Sequence, residues 1–179
     1  MVIAAWDVKE WAAVLAPSVA LLIGVATLIV NGERAERLRR RELHARALAA
    51  AIAYREMPFA IRRRHVDDPG AERIRLTSAF QEIQAELAVC EVLIAAEGQS
   101  KVTNCFREFV GTTRRIAGGA ARDAWNSEPI RADADINMPE LARQLSAIDI
   151  YRDRYRDAIQ DAARSPLTRV RDAIEAADD

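Results

Sequence analysis

Residues 76–94 read LTSAFQEIQAELAVCEVLI. Leu76, Phe80, Ile83, Leu87, Cys90 and Ile94 recur at spacings of 4, 3, 4, 3 and 4. This is the apolar seam of an α-helix running through successive heptads. Such a seam must be covered by other helices, either from the same chain or from a second chain in a coiled coil. Bulky Phe80 and small Cys90 suit the irregular core of an intrachain bundle better than the repeating layers of an extended coiled coil.

The flanking sequence supplies further helices. Gly98 ends the seam, and Ser100 is positioned to cap a following helix. That helix turns Val102, Cys105, Phe106, Phe109 and Ile116 inward and stops at Gly118-Gly119. Residues 120–137 read as irregular, with one helical turn around Trp125. Asn137 then caps another helix with Pro139 in its first turn. Leu141, Leu145, Ile148, Tyr151, Tyr155, Ile159 and Ala162 form its apolar face. Ser165-Pro166 opens a last short helix bearing Leu167, Val170 and Ile174. On the N-terminal side, HVDDPG at 65–70 is a turn. Before it, residues 33–57 contain no helix breaker, and the spacing predicts helix to about Glu56 with a kink or break at Pro58. Leu38, Ala45, Leu48 and Ile52 mark its packing face.

Composition agrees. The 179 residues are half apolar, with only 7 Gly, 6 Pro and 6% aromatics. Abundant Ala, Leu, Arg and Glu favours helix, and no stretch alternates like a strand. Lys9 and Lys101 are the only lysines. Arginine in place of lysine, together with the alanine, points to a GC-rich bacterial genome.

The second strong signal is Ala12 to Val30, 19 residues without a charge, ten of them Val, Leu or Ile. As a helix this is about 28 Å, near the thickness of a bilayer core. Its Val, Leu and Ile side chains favour insertion by roughly 3 to 6 kcal/mol. Pro17, Ser18, Gly24 and Thr27 weaken the signal without cancelling it. Trp6 and Trp11 stand where indoles sit among headgroups. A buried core helix would show a polar face, and this segment has none. A cleaved signal peptide would have a basic start and a shorter apolar stretch, whereas Asp7, Lys9 and Glu10 come first here. Arg34, Arg37, Arg39, Arg40, Arg41 and Arg46 follow at once. An excess of arginine marks the cytoplasmic flank. The expected topology is therefore a single-pass transmembrane protein of the bacterial inner membrane, with a short extracytoplasmic N-terminus and a cytoplasmic C-terminal domain.

The net charge of −1 conceals a polarity. Residues 31–75 hold 12 Arg against 7 acids, for +5, and residues 76–179 hold 13 bases against 18 acids, for −5. The basic part adjoins the apolar segment. Anionic lipid is one use for it, and solvated i,i+4 pairs such as Glu33–Arg37 and Glu36–Arg40 are the plainer one. Ala12, Ala16, Ala20 and Gly24 fall on every fourth residue, a small-residue ridge that lets two spans approach closely. A homodimer through the span is the expectation it raises.

Catalytic, cofactor and metal signatures are absent from the sequence. His44 and His65 lie in arginine-rich stretches without ligand spacing. DADIN at 133–137 starts like an EF-hand loop, but Met138 and Gln144 replace the required Gly and Glu. Gly118-Gly119 has no phosphate-loop context, and no Ser or Cys lies in a nucleophile elbow. Cys90 and Cys105 sit on apolar faces as reduced thiols. IRRRH at 61–65 lacks interleaved aromatics, so nucleic-acid binding is not expected. Asp67-Asp68 and Asp178-Asp179 read as a turn and a terminus.

The sequence thus predicts an all-α chain: an N-terminal tail (1–11), a transmembrane helix (12–30), an arginine-rich juxtamembrane helix (31–57) and a cytoplasmic antiparallel helical bundle (58–179). No cofactor is called for. The leading functional expectation is a non-enzymatic scaffold or regulatory interaction module with an unidentified protein partner. A signal-relay subunit coupling a membrane event to the bundle comes second, and an enzyme with an unrecognised site third.

Overall fold

The computed structural model describes the backbone of residues 8–132 and 136–164, and side chains at 27–28, 30–132 and 136–164. The described residues form five helices and no strand: α1 (Val8–Arg62), α2 (Pro69–Ala96), α3 (Ser100–Asn126), α4 (Pro139–Ser146) and α5 (Asp149–Ala163). The chain divides into two compact units, Met1–Glu42 and Leu43–Asp179. In the first unit, α1 is helical from Val8, and its described side chains are exposed. Ion pairs Glu33–Arg37 and Glu36–Arg40, each at 2.9 Å, join successive turns as the spacing predicts.

The second unit is an up-down-up-down bundle, and its side-chain contacts establish the directions. Arg46 pairs with Glu86 at 2.8 Å, and Tyr54 meets Phe80 edge-on at 4.7 Å, so α2 runs against α1. The Thr103 hydroxyl donates to the Ile94 carbonyl at 3.3 Å, and Arg114 faces Glu91 at 3.7 Å, so α3 reverses again. Lys101 pairs with Asp161 at 2.8 Å while Phe106 packs on Tyr155 at 5.1 Å, which sets α5 against α3. Arg55–Asp149 at 3.1 Å closes α5 onto α1. The main core joins Ala47, Ala51 and Tyr54 of α1 to Leu87, Cys90 and Ile94 of α2, Val102, Phe106 and Phe109 of α3, and Leu145, Ile148 and Tyr155. A smaller cluster of Met57, Ile61, Leu76, Ala121 and Ala124 fills the end near the α1–α2 turn.

The predicted seam of α2 is intrachain core. Leu76, Leu87, Cys90 and Ile94 are buried, with Phe80 and Ile83 packed against them. Its ends follow the expected chemistry. The Asp68 carboxylate accepts from the Gly70 and Ala71 amides, Pro69 occupies the first turn, and Gly98 adopts the left-handed φ of 71° that glycine tolerates after a helix.

Five expectations are corrected. The first concerns α1, which passes Pro58 and ends at Arg62, because Met57 and Ile61 extend its buried face by another turn. That face, secondly, is His44, Ala47, Ala51, Tyr54 and Ile61. Leu38, Ala45 and Ile52 are exposed and Leu48 is half-buried. Thirdly, α3 does not stop at Gly118-Gly119 and continues to Asn126. Its small residues Ala117, Ala120, Ala121 and Ala124 are buried, and a Cβ added at Gly118 would lie 3.4 Å from the Tyr54 hydroxyl. Packing of this strip outweighs the cost of two helical glycines, about 1 kcal/mol each. Fourthly, the caps assigned to Ser100 and Asn137 are not made. Gln99 and Met138 precede α3 and α4 without side-chain capping bonds. Lastly, the fourth segment of the bundle is two helices rather than one. At Ala147 and Ile148 the backbone tightens to i,i+3 hydrogen bonds, Ile148 to Leu145 and Tyr151 to Ile148, each 3.1 Å. This keeps Leu145 and Ile148, three residues apart, both fully buried. The helix expected from Ser165-Pro166, with Leu167, Val170 and Ile174, lies outside the described residues.

Candidate functional site

The residues singled out from the sequence divide into those on the first unit and those the bundle brings together. Arg34, Arg37, Arg39, Arg40 and Arg41 project from α1 into solvent, two of them held by the Glu33 and Glu36 carboxylates. The side chains of Ala12, Ala16, Ala20 and Gly24 lie outside the described residues. Among the described residues, no helix is long and apolar enough to cross a membrane.

Within the bundle the structure assembles a polar cluster that sequence reading missed. His44 is buried on α1 beside Ala47. Its Nδ1 lies 2.8 Å from the Tyr155 hydroxyl of α5, and its Nε2 lies 3.4 Å from Glu97 Oε2 at the end of α2. Burial, reinforced by Cys90 and Glu97, pushes the Tyr155 phenol well above its ordinary pKa, so it stays neutral. The imidazole and the neutral phenol share one hydrogen bond at Nδ1, and the other ring nitrogen, Nε2, faces Glu97. Glu97 Oε2 is buried and accepts no hydrogen bond, so the imidazole meets it at ion-pair distance only. The cluster fastens α1, the α2–α3 corner and α5 at one end of the bundle. Burial also pushes the Cys90 thiol up, ahead of the effect of Glu86, and a protonated buried thiol is a poor nucleophile.

The arginines of IRRRH serve the opposite end. The Arg64 guanidinium donates to the carbonyls of Ala124 at 2.9 Å and Ser127 at 2.7 Å, and stacks over Trp125 at 5.3 Å. It thereby satisfies carbonyls left open at the end of α3. Arg63 lies over the Phe59 ring. Glu72 receives two 2.7 Å bonds from Arg75, and these, ahead of a weaker bond from the His65 amide, hold its carboxyl down at about 2. These side chains bind the turn together.

Two hollows bear on chemistry. One of about 370 Å³ is lined by Ile61, Leu76, Phe80, Ala121 and Trp125, with amides of Gln81 and Gln84 at its rim. Another, about 710 Å³ and next to Gly98, contains Lys101 and Asp161, which already pair with each other. Neither joins a nucleophile to a base. Among the described residues no group of three or more His, Cys, Asp or Glu could hold a metal. On α2, Ile74, Val89, Val92 and Leu93 are exposed. No protein-family model matches the chain, and no curated protein or solved structure matches it either.

Proposed function

We propose that this chain is a single-pass protein of the bacterial inner membrane whose cytoplasmic helical bundle serves as a non-enzymatic scaffold or regulatory interaction module. The observation that carries the membrane part is the uncharged run from Ala12 to Val30, followed within four residues by the first of five closely spaced arginines. The run crosses the bilayer, Arg34, Arg37, Arg39, Arg40 and Arg41 hold its end at the cytoplasmic face, and the bundle lies in the cytoplasm. The interaction role is supported by the apolar outer strip of α2 and by the hollow beside Ile61, Leu76, Phe80 and Trp125.

A relay role is a second reading, favoured by one feature. α1 is a single helix from Val8 to Arg62, and the same helix supplies His44, Ala47, Ala51 and Tyr54 to the bundle core. In this reading a membrane event alters the packing of the bundle core.

Reporter fusions test the topology. A C-terminal reporter should be active only as a cytoplasmic enzyme, and replacing the five arginines with glutamine should scramble the orientation. Periplasmic activity from the unmutated chain overturns the assignment.

A further inference from the structure

At the end of the bundle that carries the α1–α2 turn, α2 and α3 leave a space between them. From α2 come Leu76 and Phe80, with Thr77, Gln81 and Gln84 on the adjoining row. From α3 come Gly118, Ala121, Arg122 and Trp125, whose spacing puts them on one side of the helix. Gly118 and Ala121 fill little of the space, and a hollow of about 370 Å³ results. Its floor is apolar, since Ile61, Leu76 and Ala121 are all buried core residues. Both the size and the make-up, an apolar and aromatic lining with a few polar groups, fit small-molecule sites, which run from roughly 300 to 1,000 Å³.

Charge sets this hollow apart from three others. Between α1, α3 and α4, Arg62 shares a hollow with Asp123 and Glu140. Beside Gly98, Lys101 is paired with Asp161. Between α1 and α2, Arg46 is paired with Glu86. In the α2–α3 hollow, Arg122 is the one charged residue of the described lining, and no acid accompanies it. Arg64 adds positive charge alongside, over the Trp125 ring at 5.3 Å. The amides of Gln81, Gln84 and Asn126 and the Thr77 hydroxyl supply neutral donors.

We propose that this hollow binds a small aromatic monocarboxylate, its ring against Phe80 and Trp125 and its carboxylate held by Arg122. The walls select a flat ring, because aromatic pairs gain beyond the area they bury. The guanidinium selects a carboxylate, whose two oxygens match its paired donors. A single lining cation with no acid favours one negative charge. The site needs neither the membrane span nor a protein partner, so it goes beyond the interaction role proposed above.

The test is equilibrium dialysis of the purified full chain in non-ionic detergent. Naphthalene-2-carboxylate is the probe, naphthalene-2-carboxamide its uncharged counterpart, and octanoate an aliphatic acid. Thr77→Phe, at an exposed lining position and sized to fill the hollow, measures uptake by detergent. Above that background the aryl carboxylate should bind with a Kd of about 1 mM or lower, as suits a ligand this small. The carboxamide should bind about fivefold more weakly, the scale of one exposed charge pair. Octanoate should bind at least about threefold more weakly, for want of ring contacts. Arg122→Gln should bring the carboxylate down to the level of the carboxamide, and Arg122→Lys should restore part of the difference. Arg122 and Thr77 are both exposed, so thermal melts of the variants should match that of the unsubstituted chain. Equal affinity for carboxylate and carboxamide overturns the anion site. Octanoate binding as tightly as the aryl acid overturns the aromatic class, and undiminished binding to Thr77→Phe overturns the location.

Discussion

The buried faces of α1 and α2 use opposite solutions to the same problem. α2 presents Leu76, Leu87 and Ile94 to the core, with Phe80 and Ile83 at its margin. α1 presents His44, Ala47, Ala50, Ala51 and Tyr54 there, and leaves Ile52 42% exposed and Leu38 64% exposed. Side-chain size indicates the inward face only where large residues are the ones that pack. On α1 the inward residues are mostly small, so size there does not mark the buried face. α3 follows the same logic over Ala117–Ala124, where Gly118 meets the Tyr54 hydroxyl. The close backbone approaches in the bundle are made by α3, to α5, α2 and α4, while α1 joins the core through its side chains.

Three substitutions break or sharpen that comparison, in descending order of effect. Leu87→Asp places a carboxylate at a position with no exposed surface, where an unpaired charge is among the costliest changes a core can receive. Loss of the cooperative thermal transition is expected, and an unchanged melt would remove Leu87 from the core. Ala51→Leu tests the small-residue face of α1. Three extra carbons must enter a fully buried site, and overpacking of this kind costs about 1–3 kcal/mol. Denaturant titration should show a lower midpoint at constant slope; a stabilised variant would mean a void exists beside α1. Ile52→Ala should change stability by no more than about 0.5 kcal/mol, as at other exposed positions. A loss of about 2 kcal/mol or more, the range of a buried Ile truncation, would place Ile52 inside, as its size had predicted.

The same contrast separates what was legible in the candidate residues. Arg37 and Arg40 find Glu33 and Glu36 as i,i+4 spacing dictates, because such contacts need nothing beyond the helix itself. His44 gave no sign of its role. Its partners Glu97 and Tyr155 lie outside α1, and the arginine-rich stretch around it in sequence argued only against a metal ligand. A signal did exist: His44 stands three residues before Ala47 and seven before Ala51, on the stripe that continues through Tyr54 to Ile61. A search for small-residue periodicity would have placed it inward. Arg64 belongs to the same class, since its use depends on where α3 ends.

Local chemistry was enough to determine the all-helical character, the α2 seam, the turn at HVDDPG and the helix end at Gly98. Hydrophobic period, turn residues and a glycine able to end a helix each act within a few residues. Tertiary structure decided which face of α1 is buried, whether α3 runs through its two glycines, where the fourth segment tightens at Ala147 and Ile148, and which polar groups meet at His44. Each of these depends on the distance between helices that are far apart in sequence. That distance is fixed only when all four segments of the bundle pack together and the free energy of the assembly outweighs local preferences of about a kilocalorie per residue.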